Sequence, residues 1–332
     1  MSIRPFNLPD DITVVIDLIP RCFVYPENDA WNLEPGERQA YVESWTAMRR
    51  FWPLLRVMRW LWHPARDLFQ GFVWEEDGQA VGLTNTIRKG ATDGWIIANV
   101  GVVPEYRRRG IARKLVEAAL EDVKARGAAI ITLGVISGNT PAYSLYVELG
   151  FERYTGTAQL EYTETTPPEA VPLPTDYRIA DSSFFEWQPR YDLARRIKPA
   201  DVQCYEPVTR FGYRVPHVAQ LLRVIWPIMR TAMGVDRKQF LVYRGDQVVG
   251  SGGYAYRLRE GGSNQVMLTL DPAVADAAPA IINHTLRQVH ALSPGRKVGC
   301  SVPHWQGHVL AAACDAGFVR EYDHDWLGMI VS

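Results

Sequence analysis

The stretch Val103–Leu115 reads VPEYRRRGIARKL. It sets Arg107, Arg108 and Arg109 directly before Gly110-Ile111-Ala112, in a chain whose 36 basic and 37 acidic residues leave a formal net charge of −1. The residues before it, GWIIANVGVV from Gly94, form an apolar run with the character of a strand. Those after it repeat apolar side chains at helical spacing, Leu115, Val116, Ala119, Leu120 and Val123, with Gly127 as a stop. The cationic stretch is therefore a strand-to-helix junction. A helix N-terminus offers unpaired backbone N–H groups and a partial positive charge. Fed by a loop whose glycine lets an anion approach the backbone, it becomes a phosphate cradle, and flanking arginines add charge-assisted contacts. Ala112 keeps the first turn narrow. The expectation is a pyrophosphate site. Duplex nucleic acid, which needs a broadly basic face, does not fit the near-zero net charge.

Outward from this junction the pattern alternates between strand and helix. Tyr41 to Trp62 carries apolar residues at helical spacing. LFQGFVWEEDGQAVGLTNTIRKG, from Leu68, reads as a strand, an Asp77-Gly78 turn and a second strand. AAIITLGVI, from Ala128, reads as a buried strand, Pro141–Leu149 as a short helix closed by Gly150, and FERYTG…LEY, from Phe151, as a last strand pair. The sum is an α/β (α+β) fold, a mixed, mostly antiparallel sheet flanked by helices. The chain's 332 residues are enough for two such domains. A proline- and threonine-rich segment from Thr163 reads as a linker. On either side of it, Leu54 and Leu221, Gly82 and Gly250, and Phe151 and Phe318 stand in similar contexts 167 or 168 positions apart. Two copies of one domain are expected, at 1–162 and 176–332, joined by a linker at 163–175.

Pro104, Arg107, Gly110 and Ala112 follow the pattern V-x-P-x-x-R-x-x-G-x-A. This resembles the acetyl-CoA signature of the GNAT N-acetyltransferase superfamily, which sits at the same kind of junction. NTPAYSLYVELGF, with Asn139, Ala142, Tyr146, Gly150 and Phe151, resembles a second signature of that family. The resemblance covers Ser2 to Tyr162. It implies a sheet whose fourth and fifth strands splay apart to admit the pantetheine arm of acetyl-CoA. It implies that the backbone of Val102 and Val103 pairs with that arm and that N–H groups from Arg108 through Gly110, Ile111 and Ala112 to Arg113 hold the pyrophosphate. Side chains of Arg107, Arg108 and Arg109 would lie near the phosphates, Asn139 and Ala142 would border the pantetheine, and Tyr146 would serve as general acid for the departing thiolate. A thiol of pKa about 8.5 is a fair leaving group, and a nearby phenol can return its proton.

The chain departs from the family pattern in two places. Where many members carry a carboxylate on the fourth strand, this one has Ala98-Asn99; Asn99 can position a water or the acceptor but cannot act as a base. Glu27, Asp29, Glu34 and Asp93 are candidate substitutes. In the second copy Val103-Pro104 falls on Asp271-Pro272, no arginine–glycine loop follows, and the position of Tyr146 falls near Ala313. A degenerate copy is expected there, one that packs, walls the acceptor site or mediates a homodimer.

The remaining signals are structural. Cys22, Cys204, Cys300 and Cys314 form no CxxC pair, which fits reduced thiols in the cytoplasm. No signal peptide or membrane-spanning run is evident, and the Trp52/Trp60/Trp62 stripe reads as packing rather than membrane contact. His304 and His308 stand four apart without further ligands, so no metal is expected. The strand glycines Gly250 to Gly253 read as backbone crowding. The expected function is transfer of acetyl from acetyl-CoA to a small-molecule amine by direct attack, at one site in the N-terminal copy. The alternatives are a non-catalytic acyl-CoA-binding or regulatory module, or a protein or peptide N-acetyltransferase.

Overall fold

In a computed structural model, the structure describes residues 2–331 apart from 27, 29, 30, 33, 34, 54, 55, 58–69, 91, 184 and 215–233. The Leu54/Leu221 repeat pair, and most of the helix expected beyond Trp52, lie outside the described residues. The chain divides into two compact units, Met1–Tyr154 with Asp325–Ser332, and Thr155–His324.

The first unit runs β1 (Ser2–Pro5), α1 (Asp11–Cys22), α2 (Pro35–Arg50), β2 (Gln70–Glu76), β3 (Gln79–Arg88), β4 (Gly94–Val102), α3 (Ile111–Ala125), β5 (Ile130–Ile136) and α4 (Thr140–Glu148). Its last strand is the end of β12 (Val319–Ile330), and the order is β1-β2-β3-β4-β5-β12. β1 to β4 are antiparallel. The β2–β3 turn places Asp77 and Gly78 at φ 52° and 76°, the left-handed pair that a two-residue hairpin requires. β4 runs parallel to β5, but only over Gly94–Ile97 against Ile130–Leu133. Past Ile97 the strands part, and this opening positions the site. Trp95, Ile97, Ile131, Leu133, Phe151 and Leu327 form one core with Val116, Ala119 and Val123 of α3. Val15, Leu18 and Ile19 of α1 form another with Leu83, Val102 and Leu115. Truncating a side chain such as Leu133 to alanine would cost about 2–5 kcal/mol, so the frame around the opening is firm.

The second unit begins inside β6 (Glu152–Tyr162). It continues through β7 (Tyr177–Ser182), α5 (Gln188–Ile197), α6 (Ala200–Tyr205), α7 (Arg210–Tyr213), β8 (Val235–Arg244), β9 (Gln247–Arg257), β10 (Asn264–Leu270), α8 (Ala278–Leu292), β11 (Val298–Pro303) and α9 (Gly307–Asp315). Its strand order is β6-β11-β10-β9-β8-β7. Here too a single parallel pair, β10 with β11, is short: Asn264–Val266 against Val298–Cys300. Each unit is thus a mixed, mostly antiparallel sheet flanked by helices.

Two local expectations change. FERYTG…LEY is one strand, not a pair. Burial alternates through Gly156 without a break, and Thr157–Tyr162 pairs with Pro303–Val298 of β11. The compact units therefore divide at Tyr154 and again at His324, not at the linker, because strand pairing outweighs linker composition. The segment from Thr163 is itself tied down within the second unit. Asn283 on α8 accepts from Val171 N–H at 3.0 Å and donates to Glu169 O at 2.6 Å, and Arg287 donates to Pro168 O. The glycine run in β9 is crowded: a Cβ on Gly250 would stand 2.4 Å from Leu270, and one on Gly252 2.4 Å from Phe240.

Candidate active site

The loop from β4 to α3 curls through two left-handed residues, Arg108 at φ 63° and Gly110 at φ 77°. The first bond into α3 is Lys114 N–H to Gly110 O, 3.2 Å. Among the described residues, no protein group accepts from the backbone N–H groups of Arg108 to Arg113. A run of free donors at a helix N-terminus is a ready anion cradle. A Cβ on Gly110 would meet nothing within 4 Å, so the space before the loop is open.

The three arginines have three different environments. Arg107 donates from Nε to Val102 O at 3.2 Å, and from Nη2 to Cys22 O at 2.8 Å and Val24 O at 3.1 Å. Arg109 pairs with Glu76 at 3.2 Å, donates to Glu105 O at 3.1 Å and stacks over Tyr106. Arg108 is exposed and, among the described residues, has no side-chain partner. The expected phosphate role of all three side chains therefore narrows: the guanidiniums of Arg107 and Arg109 already have protein partners, and that of Arg108 is free.

Where β4 parts from β5 there is a cavity of about 400 Å³. Val102, Arg107, Arg108, Gly110, Ile111, Ala112 and Arg113 line it from the strand and loop side. Asn139, Ala142 and Tyr146 line it from α4. Val103 does not. It is buried, its N–H donates to Val81 O at 2.9 Å, and its carbonyl accepts from Tyr106 N–H at 3.0 Å. Backbone donors alternate sides along a strand. The N–H of Val102 therefore points away from β3, into the gap. Of the two valines, only Val102 has a backbone donor to offer there.

Asn139 caps α4, accepting from Ala142 N–H at 3.3 Å, with Pro141 in the first turn. Gly150, at φ 92°, ends the helix so that Phe151 can pack edge-on to Tyr146, ring centroids 6.4 Å apart. Tyr146 is buried, and burial, with Tyr25 nearby, pushes its hydroxyl above the ordinary phenol range. It stays a neutral hydrogen-bond donor. Arg113 forms an ion pair with Glu148 across α3 and α4.

Asn99 does not line the cavity. It occupies a bulge opposite Thr84, at φ 53°, a conformation asparagine tolerates better than most residues. Its Nδ2 donates to Asn85 Oδ1 at 3.1 Å. Asp93 is exposed at the opposite end of β4 from the cavity. Glu27, Asp29 and Glu34 lie outside the described residues. Cys22 and Tyr25, which also line the cavity, escaped the sequence reading because no local spacing ties them to a junction 80 residues downstream. Burial pushes the Cys22 thiol up from 9.0 to about 12. Among the described residues, no group of three or more His, Cys, Asp or Glu is arranged to hold a metal, and no helix is long and apolar enough to cross a membrane.

An open strand pair with an anion-cradling loop at its end and a phenol across the gap defines a class of protein. Residues 37–151 match the family described as Acetyltransferase (GNAT) family. Over 75 residues the chain is 43% identical to N-alpha-acetyltransferase 30 of Schizosaccharomyces pombe, spanning 23% of this chain and 50% of that protein. Over 157 residues it is 31% identical to Mycothiol acetyltransferase of Thermobispora bispora, spanning 47% of this chain and 48% of that one. The chain spans about half the length of these curated relatives. In fold it is similar to a tandem GNAT protein from the clavulanic acid biosynthesis pathway, with a TM-score of 0.64, 13% identity, and coverage of 99% of this chain and 98% of that one.

Proposed function

We propose that the chain is an N-acetyltransferase of the cytoplasm that moves an acetyl group from acetyl-CoA to the amine of a small molecule, at one site in the first unit. The observation that carries this reading is a shared cavity: Arg108 and Gly110 to Arg113 of the loop with free N–H groups, Val102 and Tyr146 all border it. The residues fit acetyl-CoA. The loop N–H groups would hold the pyrophosphate with Arg108 beside them, and Asn139 and Ala142 would border the pantetheine. Bound there, acetyl-CoA supplies a thioester whose acyl carbon an amine can attack.

The chain's own groups then have distinct tasks. The loop fixes one end of the donor, which supplies orientation. The Val102 N–H, which faces the gap, would donate to the thioester oxygen, where a preorganised donor stabilises developing negative charge. Tyr146, kept neutral by burial, would donate toward the sulfur as the thiolate leaves. Asn99, held by Asn85 in its bulge on β4 and outside the cavity lining, has no part in this scheme. No carboxylate lines the cavity among the described residues, so an acceptor amine of low pKa fits best. A bounded hollow of about 500 Å³ between α1 and α2, with Phe23, Val24, Gln39 and Glu43 in its wall, supports a small acceptor of mixed polarity. The second unit we read as a degenerate copy.

Two other readings have specific support. The likeness to N-alpha-acetyltransferase 30 favours a protein N-terminus as acceptor. The absence of an acid from the lining favours a non-catalytic acyl-CoA-binding module. Release of CoA thiol from acetyl-CoA across a panel of small amines and peptides separates the three. Small-amine-dependent release that collapses in Tyr146→Phe supports the proposal. Release with peptides alone, or binding without release, supports one or the other alternative.

A further inference from the structure

The Arg107 side chain is engaged in a way that a phosphate ligand's would not be. Its three acceptors belong to two separate pieces of the first unit: Val102 O at the end of β4, and Cys22 O and Val24 O where the chain leaves α1. Cys22 ends its helix, so its carbonyl is one of those a helix leaves without an internal partner. A cation there also meets the negative end of the helix dipole. The guanidinium lies over the Tyr25 ring, 5.8 Å from its centroid.

The short segment it holds is a partition. Cys22 and Tyr25 line the cavity at the cradle. Phe23 and Val24, between them, line the hollow beside α2. Tyr25 lines the same cavity as Tyr146 and packs edge-on to Trp31 at 5.5 Å, and Trp31 in turn reaches Gly138 just before α4. On the other side, a Cβ on Gly101 would stand 2.7 Å from that of Cys22, so α1 is packed hard against β4 at this point. Two close packings, two hydrogen bonds between the Asn32 amide and the Tyr25 backbone (2.7 and 3.1 Å) and one forked cation fix the partition, and the fork ties strand to loop by hydrogen bonds.

We infer that Arg107 is a positioning residue: it straps the Cys22–Tyr25 partition to the end of β4, and so sets the wall between the two cavities and the seat of Tyr25 beside Tyr146, rather than binding phosphate. The inference rests on the proposed acetyl-CoA site. A planar fork is required, because a lysine ammonium is a point charge that does not reproduce three carbonyl contacts in two directions.

The test compares Arg107→Lys and Arg107→Gln with the native chain in two measurements. The first is alkylation of Cys22 by iodoacetamide and amide exchange of Ile19–Pro26 in the ligand-free protein. The second is acetyl-CoA affinity by calorimetry. A strap predicts faster alkylation and exchange, confined to this segment, in both variants, by about tenfold or more for each lost 1.4 kcal/mol of local protection. It also predicts that Arg107→Lys keeps acetyl-CoA affinity within about threefold, since the cradle donors are intact. A phosphate ligand predicts the reverse: unchanged Cys22 labelling, affinity falling about tenfold in Arg107→Gln, and recovery in Arg107→Lys. That outcome overturns the inference, as does exchange rising uniformly across the unit. If the native chain binds no acetyl-CoA, the proposed function fails, while the labelling still decides whether the strap exists.

Discussion

The two units meet the same point of their folds in opposite ways. In the first, Val103 N–H bonds Val81 O, and Val102 N–H faces the gap between β4 and β5. In the second, 168 positions on, Asp271 N–H bonds Val249 O at 2.8 Å, and Leu270 N–H faces the gap between β10 and β11. There it is met by Gln306 Oε1 at 2.9 Å, with both residues fully buried. Gln306 stands 167 positions after Asn139. In the first unit that position caps α4 beside an open cavity; in the second, a side chain one methylene longer closes on the strand's own donor. A buried N–H demands a partner. The same strand donor thus faces an open cavity in one unit and is satisfied by an internal side chain in the other, while the strands part in both.

The sharpest way to break the comparison is Tyr146→Phe. The matching position in the second unit is Ala313. Turnover is expected to fall about 10²-fold or more with acetyl-CoA affinity little changed, as steady-state rates and calorimetry together would register. Gly110→Val comes next. Gly110 stands in the left-handed region at φ 77°, which costs a β-branched residue about 1–2 kcal/mol, and the new side chain enters the cradle. Acetyl-CoA affinity should drop about tenfold or more in a calorimetric titration.

The cradle was legible in the sequence because its cause is local. Strand, glycine, small residue and helix period all fall within about twenty positions of Val103, and Asn139-to-Phe151 is likewise one short helix with its cap and stop. What was not legible depends on distant chain. The partners of Arg107 come from Cys22 and Val24, and those of Arg109 from Glu76, so a run of three like charges gave no hint that only Arg108 is free. The division into compact units at Tyr154 and His324 is of the same kind: proline content marks a linker from Thr163, while the pairing of Thr157–Tyr162 with β11 depends on residues about 140 positions away. Asn99 announced itself by the acid it replaced, while its left-handed bulge and its bond to Asn85 came only from the fold.

Smaller effects sharpen the comparison. Gln306→Leu leaves Leu270 N–H buried without an acceptor and should destabilise the second unit by about 1–3 kcal/mol in denaturant unfolding, with acetyl-CoA binding unchanged. Arg108→Ala should weaken acetyl-CoA by about fivefold and flatten the salt dependence of binding. The same change at Arg109 should leave that dependence as it is. Finally, each unit buries one thiol, Cys22 and Cys300, that burial raises from 9.0 to about 12. The unfolded chain sheds those protons first, so folding should weaken as pH rises above 9, by up to about 1.4 kcal/mol per pH unit for each thiol. Cys22→Ala should flatten the alkaline slope of the unfolding midpoint by its share.

The proposal to be tested is that the first unit holds one acetyl-CoA site and the second holds none. Calorimetric titration of acetyl-CoA into the full chain, native and Gly110→Val, tests it directly. One site per chain in the native protein, abolished or severely weakened by Gly110→Val, is the predicted result. Two sites per chain, or one that Gly110→Val leaves untouched, would contradict it.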